Sequence, residues 1–160
     1  MPAFEIENLK SLKQSEGREF PATDWFEVTQ HRIQRFSEVT EDFQWIHMDA
    51  ERAQRETPFG SALAQGFLTL SLLSYFVKQA VRIRFGVKMS INYGLNKVRF
   101  PAAVRADSRV RARVTLLSAK ESTGFVDAAF LVRVESQGIA GRPSSKPCCV
   151  AEWLVRYYEQ

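Results

Sequence analysis

The chain has 160 residues, the size of one domain that can bury a real core. Hydrophobic residues make up 45% and charged residues 25%, near the globular average, which excludes a disordered or collagen-like chain. Lys plus Arg number 22 and Asp plus Glu 18, a net +4; the balance suits an anionic small molecule but is too slight and dispersed to argue for nucleic acid.

The two cysteines, Cys148 and Cys149, are neighbours. A bond between adjacent residues is strained and closes no loop, so they read as small apolar residues of a strand. With His31 and His47 as the two histidines, no cluster with metal-ligand spacing is present, and no metal site is expected. The opening MPAFEIENLK lacks a basic start followed by an apolar run, so the expected setting is cytoplasmic and reducing. The uncharged stretch 61–77 falls short of the roughly 20 apolar residues of a membrane span. Gln65, Gly66, Thr69, Ser71 and Ser74 also interrupt it, so it predicts a buried helix. No repeat or linker divides the chain, and one domain over 1–160 is expected.

In chain order, 4–13 predicts a weak helical or extended lead-in and 25–29 a short strand. Thr29 is placed to cap a helix carrying Ile33, Phe36 and Val39. Residues 40–60 hold no sustained period and contain Pro58 and Gly60, so they predict a loop with a short helix near 50–55. One long helix is expected over 62–79. Leu68, Leu72, Tyr75, Phe76 and Gln79 follow one face and Phe67, Leu70, Leu73 and Val77 fill the flanks, so it should be buried on most sides. Strands follow over 92–100, 108–118, 125–135 and 149–157. In them Val110, Ala112 and Val114, then Val126 through Val134, then Ala151 through Tyr157, alternate with polar residues. Such alternation marks an antiparallel sheet with one apolar face. The turns are expected at Ala106-Asp107, at Ser122-Thr123-Gly124 and over 138–146. A curved antiparallel sheet wrapped around the long helix satisfies this order: an α+β hot-dog fold. A single hot dog leaves a sheet edge and part of the helix uncovered, which predicts a homodimer.

Asp42 and His47 stand five apart just before the predicted buried helix. From the residues alone two readings stay open. The pair is either a turn residue and a packed aromatic, or a carboxylate and an imidazole sharing a water as a general acid–base pair. The stretch around them resembles the MaoC-like dehydratase and (R)-specific enoyl-CoA hydratase family. That motif runs Gly-Asp-x-Asn-Pro-aliphatic-His, five residues, then Ala or Ser, and Asp42, Ile46, His47 and Ala53 fall on it. Gly60 and Gly66-Phe67-Leu68-Thr69 resemble the family's start of the central helix. Asn92 through Pro101, then Val104 and 108–111, resemble its following strands. Gln44-Trp45-Ile46-His47 is nearest the NodN-like subgroup. The likeness spans about 25–157. Departures are Glu41 for the family's Gly, Gln44 for Asn, Trp45 for Pro, and Gln65 for the His before the helix Gly. Glu41 beside Asp42 adds a negative charge that raises the Asp42 pKa if both face the pocket. Gln65 removes an ionisable group near the substrate carbonyl.

The resemblance implies hydration of a trans-2-enoyl-CoA, or an acyl-carrier-protein thioester, to the (R)-3-hydroxy form, or the reverse. Asp42 and His47 would hold the water, the backbone N–H of Gly66 would meet the thioester oxygen, and no metal or redox cofactor would be needed. Gln65, Ser61, Gln44, Trp45 and Asn92 are the further substrate-side candidates. Ser61 reads first as a helix-start cap and Trp45 as packing over His47, while Asn92 reads equally as a sheet residue. Arg99, Arg105, Arg109, Arg111 and Arg113 form the densest basic run. They make either a solvated strand face or, in one or two members and with Lys97, a contact to coenzyme A phosphates. The other functional readings are a hot-dog thioesterase, against which stands the absence of an acid between 61 and 77, and a non-catalytic acyl-CoA-binding module.

Overall fold

The computed structural model describes residues 2–137 and 144–160; the expected turn over 138–146 therefore lies mostly outside the described residues. Seven strands and five α-helices follow in order among them. They are β1 (Phe4–Asn8), β2 (Phe26–Val28), α1 (Gln30–Thr40), α2 (Trp45–Met48), α3 (Ala50–Glu56), α4 (Gly66–Ser71), α5 (Leu73–Ala80), β3 (Val81–Phe85), β4 (Val87–Arg99), β5 (Ser108–Ser122), β6 (Phe125–Gln137) and β7 (Cys149–Glu159). A 3-10 helix over Leu9–Ser15 is capped by the Asn8 side chain.

Five strands make one antiparallel sheet in the order β2-β5-β6-β7-β4. Its apolar face is the one the alternation marked. Val110, Ala112, Val114 and Leu116 of β5, Val126, Ala128, Phe130, Val132 and Val134 of β6, and Cys149, Ala151, Trp153 and Val155 of β7 are all buried. Register breaks between Leu116 and Ser118 and three times along β4 mark bulges, which bend strands and add twist. The sheet wraps α4 and α5 in the hot-dog arrangement, with Leu73, Phe76, Val77 and Ala80 of α5 pressed into the core. No helix of the described residues is long and apolar enough to cross a membrane.

The central helix departs from the expected one. It begins at Gly66 rather than near Ala62, because 62–64 is extended: Ala64 N–H donates to the Val104 carbonyl at 2.8 Å and Ala106 N–H to the Ala62 carbonyl at 2.8 Å. It is also broken at Leu72, whose ψ of −6° leaves α-helical register between α4 and α5. The break rotates the buried face to Leu68, Thr69, Leu73, Phe76, Val77 and Ala80 and turns Phe67 and Tyr75 to solvent. Burial on most sides is therefore not what the fold provides. One strand, β3, went unanticipated, and another, β4, is longer than expected. β3 pairs in parallel with β1, Phe4 opposite Val81 and Ile6 opposite Ile83. β4 starts at Val87, well before Asn92.

Candidate active site

Thr29 caps α1 as expected, its hydroxyl accepting from Arg32 N–H at 3.2 Å. The helix closes on Glu41, which is left-handed with φ 58°. That conformation is cheap only for glycine, a physical account of why the family pattern holds Gly there. Glu41 is exposed. Asp42 follows, and its Oδ1 accepts from Gln44 N–H at 3.3 Å, an Asx-type turn that leads the chain into α2. Gln44 is exposed and contributes backbone: its carbonyl accepts from His47 N–H at 3.0 Å. Trp45 is half-buried, and its partner is the Arg52 guanidinium, 4.1 Å above the ring.

His47 is buried, 6% exposed. Its Nδ1 lies 2.6 Å from the Leu63 carbonyl oxygen. A carbonyl only accepts, so Nδ1 carries the proton and Nε2 of the neutral ring is a bare acceptor. Nε2 stands 3.9 Å from Asp42 Oδ2, and the Asp42 side chain is half exposed. That gap is too long for a direct hydrogen bond, but one water lying off the line between the two atoms reaches both. The structure thus brings Asp42 and His47 together.

Two supports were not anticipated. Gln30 Nε2 donates to the His47 carbonyl at 2.8 Å, and Gln30 N–H is itself held by Asp107 Oδ1 at 3.0 Å. Leu63 accepts the imidazole proton while its N–H donates to the Ile46 carbonyl at 3.0 Å. A backbone carbonyl carries no side-chain signature. Gln30 is a polar residue in the first turn of an amphipathic helix, where sequence gives no reason to single it out.

The segment that holds His47 runs directly into Gly66. Gln65 is buried and spends its amide on α1, donating to Ser37 Oγ at 2.8 Å and the Ile33 carbonyl at 3.3 Å. Its Oε1 is buried without a partner. It places no side-chain cap on α4, so the first N–H groups of that helix have no side-chain acceptor. The Phe100 ring lies 3.1 Å from where a Cβ of residue 66 would be. Gly66 is small because that ring packs on it. Ser61 does not cap the helix; its hydroxyl donates to the Ala62 carbonyl at 2.9 Å, because the helix starts five residues further on.

Gly66 borders a recess of about 730 Å³, shared with Phe59, Phe100, Val104, Arg105, Ser108 and Cys148 among others. Asp42 and His47 are outside its lining and are linked to it through 63–66. Asn92 lines a separate recess of about 300 Å³ with Leu70, Ser74 and Trp153, so it is not brought to the pair. Burial, and then the neighbouring Cys149, push the Cys148 thiol up to about 12, which removes it as a nucleophile. In the basic run, Arg109 pairs with Glu27 at 2.9 Å, Arg111 with Glu135 at 3.0 Å, and Arg113 with Glu135 at 2.7 Å and Glu19 at 3.3 Å.

Comparison with known proteins agrees with this architecture. A family model described as "MaoC like domain" matches residues 11–136. 3-hydroxyacyl-thioester dehydratase Z of Mycobacterium tuberculosis is 44% identical over 153 residues, covering 95% of this chain and 97% of that protein. Nodulation protein N of Rhizobium leguminosarum bv. viciae is 37% identical over 139 residues, 87% and 84% of the two chains. The solved R-hydratase of Pseudomonas aeruginosa superposes with TM-score 0.68 at 22% identity, over 91% of this chain and 83% of that one. The (R)-hydratase of A. caviae gives 0.66 at 22%, over 88% and 94%. With a family model over most of its length and full-length relatives well above chance identity, the chain belongs to the MaoC-like dehydratase family.

Proposed function

We propose that the protein adds water across the trans-2,3 double bond of an enoyl thioester to give the (R)-3-hydroxyacyl form, or removes it in the reverse direction. The observation that carries this reading is the fixed imidazole: Nδ1–H spent on Leu63, and Nε2 bare and 3.9 Å from a carboxylate oxygen. The full-length relative named as a 3-hydroxyacyl-thioester dehydratase supports it.

The thioester carbonyl polarises the conjugated double bond and makes C3 electrophilic. A water held by Asp42 and His47 Nε2 gives its oxygen to C3 and a proton to the pair. The negative charge then builds on the thioester oxygen, where the backbone N–H of Gly66 stabilises it. The pair returns a proton to C2 from the same face, a syn addition with no net change in the enzyme's protonation. Groups placed this way contribute about 10²–10⁴-fold. The acting unit we propose is a homodimer, since among the described residues β4 pairs on one edge only, with β7.

The test is turnover of crotonyl-CoA and longer trans-2-enoyl-CoA esters, followed by loss of the conjugated enoyl absorbance and by chiral analysis of the product. The (R)-3-hydroxy ester is expected. Exclusive (S) product, or no turnover at any chain length, overturns the reading.

A further inference from the structure

Acyl thioesters reach enzymes on a pantetheine arm that ends in phosphate, in coenzyme A and on carrier proteins alike. We infer that Arg105 is the residue that grips that phosphate, holding the arm in the recess beside Gly66; the inference rests on the hydratase reading above.

Position is the first argument. Arg105 is joined by an antiparallel bridge to Leu63, the residue whose carbonyl orients His47. It also lines the same recess as Gly66. One backbone link thus ties Arg105 to the proposed catalytic imidazole and to the proposed oxyanion donor together. Its own carbonyl is fixed by the Ser108 hydroxyl at 2.7 Å, so the arginine's stem starts from a braced point.

Availability is the second. Three of the five arginines in the basic run are committed to carboxylates of neighbouring strands. Arg99 donates to the adjacent Val98 carbonyl. Arg105 takes part in none of the ion pairs among the described residues, yet it is half-buried at the recess wall. A half-buried arginine without a carboxylate favours an anion from outside, and its planar donor fork fits phosphate oxygens. The walls fit the rest of the arm. Ser108, Ser136 and Ser144 supply hydroxyls for its amides, and Phe100 and Pro101 supply apolar surface for its methylenes.

The experiment compares three substrates carrying one acyl group: enoyl-pantetheine, without phosphate, enoyl-4′-phosphopantetheine and enoyl-CoA. The readout is the ratio of kcat/KM for each phosphorylated substrate to that for enoyl-pantetheine. Arg105→Ala is expected to lower this ratio about 10- to 100-fold, the weight of a charge-assisted hydrogen bond, with Arg105→Lys recovering part of it. Arg109→Ala, whose arginine pairs with Glu27 outside the recess, keeps the wild-type ratio. A fall with both phosphorylated substrates supports the contact to the phosphate shared with carrier proteins, whereas a fall with enoyl-CoA alone moves the contact to the nucleotide phosphates and overturns the inference. An unchanged ratio in Arg105→Ala overturns the inference, whatever happens to overall rate. Wild-type protein inert toward all three substrates overturns the hydratase reading instead.

Discussion

At position 47 a carbonyl oxygen decides which imidazole nitrogen is free. Because Leu63 takes the Nδ1 proton, replacing His47 with Gln removes the Nε2 acceptor, and Asp42→Asn removes the opposing carboxylate. Each change is expected to lower kcat about 10²–10⁴-fold, with far-UV spectra and melting curves near wild type; wild-type rates in both variants would remove the pair from the mechanism. Glu41 invites the opposite kind of change. Its left-handed backbone costs a non-glycine residue about 1 kcal/mol. Glu41→Gly should therefore raise the melting temperature by roughly 2–4 °C, read by calorimetry. At this scale the sequence exposed Asp42 and His47 through spacing and motif. It hid Leu63 and Gln30, which act through a backbone carbonyl and through a side chain reaching a distant main chain. Gln65 was visible as a departure, but its bond to Ser37 depends on how α1 lies beside α4.

The start of α4 is where packing and chemistry meet. A methyl at position 66 would sit 3.1 Å from the Phe100 ring and force it aside. Gly66→Ala is expected to destabilise by about 1 kcal/mol while reducing turnover well beyond what that loss explains; denaturant melts and initial rates separate the two effects. The sheet carries a different signature. Arg156 holds Asp127 through two bonds of 2.7 and 2.8 Å, and this hydrogen bonding keeps the Asp127 carboxyl below its usual range. Burial works to raise Glu135, but hydrogen bonds from Arg113 and Arg111, with their charges, outweigh it and leave it lowered. Depressed carboxyls stabilise fully above the ordinary range near about pH 4 and lose that contribution as pH falls through their folded values. Urea midpoints should therefore drop on acidification below about pH 4, and Glu135→Gln should flatten that drop. Strand alternation made β5, β6 and β7 legible to within a few residues. The helix start was not, because the apolar run 62–64 pairs with 104–106 and no local pattern records a partner forty residues away.

Across the whole molecule, β4 is the exposed margin. Met89, Ile91, Tyr93 and Leu95 are half or more open to solvent or close to it, at 50%, 43%, 55% and 42%, along a strand whose outer edge has no partner among the described residues. An apolar edge of this kind is a template for pairing with a second copy. Sedimentation is expected to give twice 18.3 kDa, and Ile91→Glu to shift the species to one chain; a wild-type monomer at micromolar concentration would rule out the dimer. The expectation of a partner comes from the layer count alone, whereas the edge that would receive one emerged only with the strand order.

The two adjacent cysteines at the start of β7 are both buried. Burial lifts the Cys149 thiol to about 11, as it does more strongly for Cys148. At neutral pH both sulfurs stay protonated and sheltered, so maleimide reagents should leave the native chain unlabelled. A single cysteine introduced on the β4 margin or beside Arg105 would then be the one handle such a reagent finds. A fluorophore placed there would report subunit exchange or ligand entry without a background from the parent protein.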